Sequence, residues 1–95
     1  MAVTIEFWKQ GNKLFVEYNK RVYNFNEFIR LSEAQFVIDK IYQKITREYP
    51  AEVISDNNKC LVVGTFIKNH FLKRDNVIDV IILDDGKIIR FNLEE

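Results

Sequence analysis

The most regular pattern of apolar and polar positions lies in the last third of the chain, over residues 76–93. Two runs rich in Val, Ile and Leu flank Asp85-Gly86, a dipeptide typical of a two-residue hairpin turn because both turn positions need a positive φ. With these two residues as the loop, Leu83 pairs with Ile88. Side chains alternate between the two faces of a strand. The predicted core face therefore consists of Ile78, Val80, Ile82, Ile89, Phe91 and Leu93.

The opposite face of this predicted hairpin is half apolar. In the same register it consists of Asp79, Ile81, Leu83, Ile88, Arg90 and Asn92. A sheet with apolar residues on both faces needs a second covering layer or a partner. Two-fold dimers are the commonest protein assembly. We therefore expect a homodimer whose interface contains Ile81, Leu83 and Ile88.

A second hairpin is predicted at the N-terminus. Apolar and polar residues alternate over residues 3–10 and again over residues 14–18, and Gly11 between them suits the first position of a type II′ turn. A further turn at Asn19-Lys20 would lead into a short strand over residues 21–25. The register of the hairpin pairs Phe7 with Val16 and Ile5 with Tyr18 on one face, and Trp8 with Phe15 on the other.

One amphipathic helix is predicted in the middle of the chain, over residues 33–48. Ser32 is suited to cap its N-terminus and Gln35 to complete a capping box. Pro50 ends the helix, because the residue before a proline is pushed out of the α region. The helical spacing predicts a buried stripe formed by Ala34, Ile38, Ile41, Tyr42, Ile45 and Tyr49.

After Pro50 the pattern favours strands again. Residues 59–67 are apolar on both sides and predict a strand in the middle of a sheet. No linker or repeat divides the chain. The sequence therefore predicts a single α+β domain over residues 1–95, a twisted antiparallel sheet of about six strands with one main helix packed on it.

Signals for catalysis or for a metal site are scarce. The chain has one His, His70, and one Cys, Cys60, which lies in an apolar run and is expected to be a buried small hydrophobe. Its three glycines are isolated and form no phosphate-binding loop. We predict a protein that is not an enzyme and that uses no cofactor and no metal. A lone cysteine, no signal-peptide pattern and no apolar stretch of about 20 residues predict a cytoplasmic protein without a membrane span.

Two groups of residues favour single-stranded nucleic acid as a ligand. Trp8 and Phe15 pair on one face, with Lys9, Lys13 and Lys20 at its margins, and form a candidate base-stacking platform. Acidic residues on the same face would repel phosphate. The segment over residues 68–74 concentrates basic charge. Each group also has an ordinary explanation, because the aromatic pair would stabilise the hairpin and the segment would serve as a solvated connection. The candidate nucleic-acid-binding residues are Trp8, Lys13, Phe15, Lys68, Lys73 and Arg74.

A basic row on the predicted helix is a third, weaker feature. Lys40, Lys44 and Arg47 follow one another at helical spacing on the side away from the buried stripe. Such rows are usually solvated helix faces.

The first half of the chain, residues 3–48, resembles the single-stranded-DNA-binding transcriptional coactivators, a whirly-like group. Residues 6–18 are similar to the family's curved antiparallel sheet, and residues 29–36 are similar to its "I-S-L-x-x-x-Q-W"-like start of an amphipathic helix. The resemblance implies a dimer that grips unpaired DNA on its sheets. The chain departs from the family in the short segment before the helix, which has no room for two further strands, and in the residues after Pro50.

Two functions are compatible with these observations. The first is a small non-enzymatic accessory protein that covers a protein partner through its apolar hairpin face. Its residue usage, rich in Ile, Lys and Asn, favours a viral or mobile-element origin. The alternative is sequence-tolerant binding of single-stranded nucleic acid. The net charge of zero and the acidic residues 77–95, with two Lys/Arg against five Asp/Glu, favour the first function, which we expect.

Overall fold

The structure is a computed structural model that describes residues 3–50, 58–69, 79–83 and 85–91. Three strands come first, three helices follow, and two strands complete the described chain. The α+β class is therefore confirmed. In chain order the elements are β1 (Val3–Gln10), β2 (Lys13–Tyr18), β3 (Arg21–Asn24), α1 (Phe25–Phe28), α2 (Ala34–Glu48), α3 (Lys59–Asn69), β4 (Asp79–Ile82) and β5 (Ile88–Phe91).

The strands form one sheet in the order β3-β2-β1-β5-β4. Neighbouring strands are antiparallel except β1 and β5, which run parallel. The predicted antiparallel sheet of about six strands is thus corrected to a mixed sheet of five described strands. A parallel pair needs a long crossover connection, and the helices between β3 and β4 form part of that connection.

The predicted register of the N-terminal hairpin is confirmed. Phe7 lies opposite Val16, and Trp8 lies opposite Phe15. Gly11 has a φ of 60°, the positive value that the predicted turn requires. The next turn has positive φ values at both Asn19 and Lys20, as type I′ turns do, and it leads into β3 as predicted.

The predicted helix is confirmed to within one residue as α2. Its buried stripe contains the predicted Ile38, Ile41 and Ile45, all with no exposed surface, and Val37 extends it. Ala34 is also buried, as the spacing predicts. The amphipathic pattern was sufficient to predict this helix because one face packs on the sheet while the other remains in water.

The two ends of α2 differ in how well they were predicted. Tyr49 leaves the helical conformation with a φ of −136°, directly before Pro50, as expected. At the start, the predicted capping box of Ser32 and Gln35 is absent. Glu33 is the N-cap residue without a side-chain cap, and Gln35 Nε2 donates to the Ile29 carbonyl at 3.3 Å.

A capping box forms instead at α1. The Asn24 side chain accepts a hydrogen bond from the Glu27 backbone N–H at 2.8 Å, and the Glu27 carboxylate accepts one from the Asn24 N–H at 3.2 Å. This reciprocal pair satisfies two donors that a helix start leaves open. It sets the direction in which the chain leaves β3.

The apolar stretch predicted as a central strand is the helix α3. Val63, Phe66 and Ile67 are buried, and the Asn58 side chain caps the helix by accepting a hydrogen bond from the Leu61 N–H at 3.1 Å. Periodicity alone does not separate a buried strand from a buried helix in so short an apolar run. Packing against α2 decides between them, with the Lys59 ammonium 3.2 Å from the Asp39 carboxylate.

The C-terminal hairpin turns at the predicted place, but its register differs by one residue. The Leu83 N–H donates to the Lys87 carbonyl, and the Gly86 N–H donates to the Leu83 carbonyl. The loop therefore spans three residues and ends on Gly86, whose φ is 87°. Three-residue hairpin loops typically end on such a left-handed glycine. As a result Ile82, and not Leu83, pairs with Ile88.

This shift exchanges the two faces of β4, since side chains alternate along a strand. Val80 and Ile82, predicted in the core, are 47% and 61% exposed. Ile81 and Leu83, predicted at the dimer interface, point the other way: Leu83 is buried in the core, and Ile81 packs against it. The predicted positions of these four side chains are therefore wrong.

The core lies between the helices and one face of the sheet, which we call the inner face. Phe7 of β1 is at its centre, stacked on Phe91 with ring centroids 5.4 Å apart and edge-on to Phe28 at 5.9 Å. Each such aromatic pair adds about 0.5–1.5 kcal/mol beyond its burial. Among the described helices, none is long and apolar enough to cross a membrane.

Candidate interaction face and cleft

The face of the sheet away from the helices, which we call the outer face, carries a row of five side chains, one from each strand. Val22 and Val80 occupy the two edge strands and are strongly exposed. The three side chains between them are charged and half-buried. From β3 to β4, the pairing registers align the row as Val22, Glu17, Glu6, Arg90 and Val80.

Further apolar side chains of the outer face lie beside this row. Ile82 of β4 is exposed and pairs with Ile88 of β5, which is buried. On the other side of the row, Trp8 stacks on Phe15 with ring centroids 6.0 Å apart and an interplanar angle of 20°. The outer face is therefore half apolar, but β4 contributes Val80 and Ile82 to it and not the predicted Ile81 and Leu83. Of the three predicted interface residues, Ile88 alone lies on this face.

The aromatic pair is placed as predicted, but it is poorly suited to stack on bases. Trp8 is only 8% exposed, so its indole offers little free surface to a ligand. Glu6 and Glu17 lie in the next row of the same face, where their carboxylates repel phosphate. The outer face thus carries exposed aliphatic side chains on its two edge strands and half-buried charges between them.

Lys13 and Lys68 both line an open cleft of about 500 Å³ between the β1–β2 turn, α1 and α3, away from the outer-face row. Lys13 comes from the start of β2 and Lys68 from the last turn of α3. Both residues were predicted to bind nucleic acid, but the sequence pattern did not indicate that they line one cleft. The cleft is also lined by Asn12, Leu14, Asn24, Phe25, Asn26, Ile29, Asn58, Cys60, Leu61, Gly64 and Thr65.

The lining of this cleft is cationic and rich in amides. None of the described residues that line it is an Asp or a Glu. Neither Lys13 nor Lys68 forms an ion pair within the described part of the chain. Two lysines in a lining that contains no carboxylate among the described residues make the cleft a favourable place for an anion.

Gly64 brings α3 close to α1 at the floor of the cleft. A Cβ atom at this position would lie 2.8 Å from Phe25 Cε2, which is closer than carbon atoms approach in proteins. The absence of a side chain therefore lets the helix lie directly against the Phe25 ring. This contact shapes the apolar part of the cleft.

Cys60 lines the cleft as a half-buried residue of α3, not as part of a central strand as predicted. Burial, and then the Asp39 carboxylate, raise the pKa of the Cys60 thiol above its ordinary value of 9.0. The thiol is therefore protonated at neutral pH, and the nucleophilic thiolate is scarce. Cys60 fills space at this position.

The remaining basic candidates are either engaged or outside the described residues. Lys44 lies 3.1 Å from the Glu48 carboxylate, and Lys40 lies over the Phe36 ring at 5.7 Å. The row on α2 therefore has the local pairing of an ordinary helix surface. Lys73 and Arg74 lie outside the residues that the structure describes.

The chain matches no protein-family model, no curated protein and no solved structure. Its similarity to the single-stranded-DNA-binding coactivators therefore remains a prediction. Within residues 3–50, 58–69, 79–83 and 85–91, no group of three His, Cys, Asp or Glu side chains is arranged to hold a metal ion.

Proposed function

We propose that this protein is a small non-enzymatic accessory protein that works through the outer face of its sheet. The observation that carries the proposal is the exposure of three aliphatic side chains on the two edge strands: Val22 at 60%, Val80 at 47% and Ile82 at 61%. They surround the half-buried charges of the outer-face row. Exposed apolar side chains on one face of a sheet are surface that a partner can cover.

A second copy of the chain is the partner that the outer-face row fits best. In two sheets packed face to face about a two-fold axis parallel to β1, β3 lies over β4 of the partner and β2 lies over its β5. Val22 then meets Val80 of the partner subunit, and Glu17 meets Arg90 of the partner subunit. The two outer positions on each side of the row are thus complementary in apolar character and charge, whereas the central Glu6 faces Glu6 of the partner subunit across the axis.

Self-association is tested by sedimentation velocity at high micromolar concentration. We expect a dimer for the unmodified chain and a monomer for Val80→Glu/Ile82→Glu, because the interface would lose two apolar contacts and would have to bury two charged carboxylates. Phe36→Glu is the matched control: it also replaces a half-exposed apolar side chain, on α2, and should leave the dimer intact. A monomer for the unmodified chain, or a dimer that survives the double substitution, would contradict the proposal.

A charge exchange tests the proposed orientation of the two copies. Glu17→Arg and Arg90→Glu should each weaken the dimer, and the two changes together should restore it. Within one chain these residues lie on β2 and β5, which are separated by β1. Recovery in the double variant therefore reports a contact between chains. A dimer affinity that is the same in all three variants would exclude this face-to-face arrangement.

The alternative function, sequence-tolerant binding of single-stranded nucleic acid on the aromatic face, has less support. The buried Trp8 ring and the acidic residues of the outer face both oppose it. The cationic cleft at Lys13 and Lys68 is a separate feature with its own chemistry.

A further inference from the structure

We propose that the cleft between the β1–β2 turn, α1 and α3 binds the phosphate of a nucleotide unit, with Lys13 and Lys68 as the cationic contacts. The site is distinct from the outer-face row, since no residue of that row lines the cleft. The ligand can be a free nucleotide or a unit of a single strand, because both present the same phosphate and sugar. The experiment below separates these two sources.

The charges that line the cleft favour an anion. Lys68 is a half-buried residue that lines the cleft, and it forms no ion pair within the described part of the chain. The C-terminal end of α3 accounts for one cation there, since the helix dipole favours positive charge in the last turn. It does not account for Lys13, which lines the same cleft from the start of β2. An anion in the cleft would satisfy both lysines.

Asparagine side chains that can form hydrogen bonds also line the cleft. The Asn24 side-chain oxygen is held by the Glu27 N–H, which fixes the orientation of the amide. Its Nδ2 carries two donors and makes no hydrogen bond within the described residues. Asn12 and Asn26 are exposed at the same cleft and add further donors and acceptors. Amide donors beside ammonium groups are suited to phosphate oxygens and to base edges.

The cleft also has an apolar part, and its size suits a small molecule. Phe25, Ile29 and the largely exposed Leu61 supply surface for a sugar and a base, next to the polar rim. A volume of about 500 Å³ falls within the range of small-molecule sites and accommodates one nucleotide. A cleft with both cationic and apolar walls favours a nucleotide over a bare inorganic anion.

The test compares charge reversals inside and outside the cleft. Fluorescence anisotropy measures binding of a labelled short oligothymidylate, and thymidine monophosphate and inorganic phosphate serve as competitors. The cleft variants are Lys13→Glu and Lys68→Glu. Arg47→Glu is the matched control, since it makes the same charge change at an exposed position of α2. Lys68→Gln replaces Lys68→Glu if circular dichroism shows that the reversal disturbs folding.

We expect each cleft variant to bind the oligonucleotide about tenfold more weakly, as the loss of a charge-assisted hydrogen bond implies. The slope of log affinity against log salt should fall by about 0.7 for each lysine. Arg47→Glu should bind like the unmodified chain. Competition by thymidine monophosphate at concentrations comparable to the oligonucleotide would identify a free nucleotide as the ligand, and much weaker competition would identify the single strand.

A titration followed by ¹H–¹⁵N NMR locates the site independently. The side-chain amides of Asn24 and Asn26 should shift on addition of the ligand. Four outcomes would overturn the proposal: no binding of any of the three probes at low salt, unchanged binding in both cleft variants, equal loss in Arg47→Glu, or shifts confined to other surfaces. The monomeric Val80→Glu/Ile82→Glu variant should still bind, so a failure of the dimer proposal remains distinguishable from a failure of this one.

Discussion

At position 64 of α3 a side chain has no room, because Phe25 occupies the space where its Cβ would lie. In the interior of a helix, alanine is more favourable than glycine by about 1 kcal/mol. Overpacking typically costs about 1–3 kcal/mol. We expect Gly64→Ala to lower the free energy of unfolding by about 1 kcal/mol in urea titrations. The loss should shrink when Phe25→Leu supplies the space, and a gain in stability would show that the helix is free to move away.

Cys60 leads to a prediction about pH. Its thiol pKa is raised by burial and by Asp39, so the folded chain holds this proton more tightly than the unfolded chain. The corresponding stability is complete below pH 9.0 and is lost as the pH rises above that value. The Tyr18 pKa is also raised, chiefly by burial, and acts in the same direction at higher pH.

Two measurements check this prediction. Alkylation of Cys60 by iodoacetamide at neutral pH should be slower than that of free glutathione, because the thiolate fraction is smaller. The unfolding free energy should decrease above pH 9.0, and less so in Cys60→Ala. Alkylation faster than glutathione would contradict the protonated, space-filling role.

At the scale of single elements, α2 is the part of the fold that the sequence specified most clearly. Ile41 is in the middle of its buried stripe and has no exposed surface. We expect Ile41→Ala to cost about 2–5 kcal/mol, measured by thermal or urea unfolding, since it removes buried methyl groups and leaves a cavity. Gln43→Ala on the exposed side should change stability by less than about 0.5 kcal/mol. Equal effects of the two changes would show that the stripe is misplaced.

The elements that were mispredicted share one property, which is apolar residues on both sides. In β4 and the residue after it, Val80, Ile81, Ile82 and Leu83 are all aliphatic, so either register buries two of them. Loop length then decided which pair faces the core. In α3 the short apolar run fits a strand as well as a helix, and its contact with α2 selected the helix.

At the scale of the whole molecule, the position of β5 beside β1 determines which surfaces are available. Arg90 enters the outer-face row only because β5 pairs in parallel with the central strand. The proposed dimer depends on that row. The proposed nucleotide site depends on α3 approaching the β1–β2 turn. Both follow from contacts between residues far apart in the chain.

The sequence by itself determined the N-terminal hairpin, with its register and turns, and the extent of α2. There, strict alternation, a 3.6-residue period, Gly11 and Pro50 all act between near neighbours. Only the tertiary structure decided the parallel β1–β5 pairing, the burial of Leu83 on the inner face and the cleft that both Lys13 and Lys68 line. These depend on long-range packing, in which several local patterns are equally acceptable and the burial of a common core selects among them.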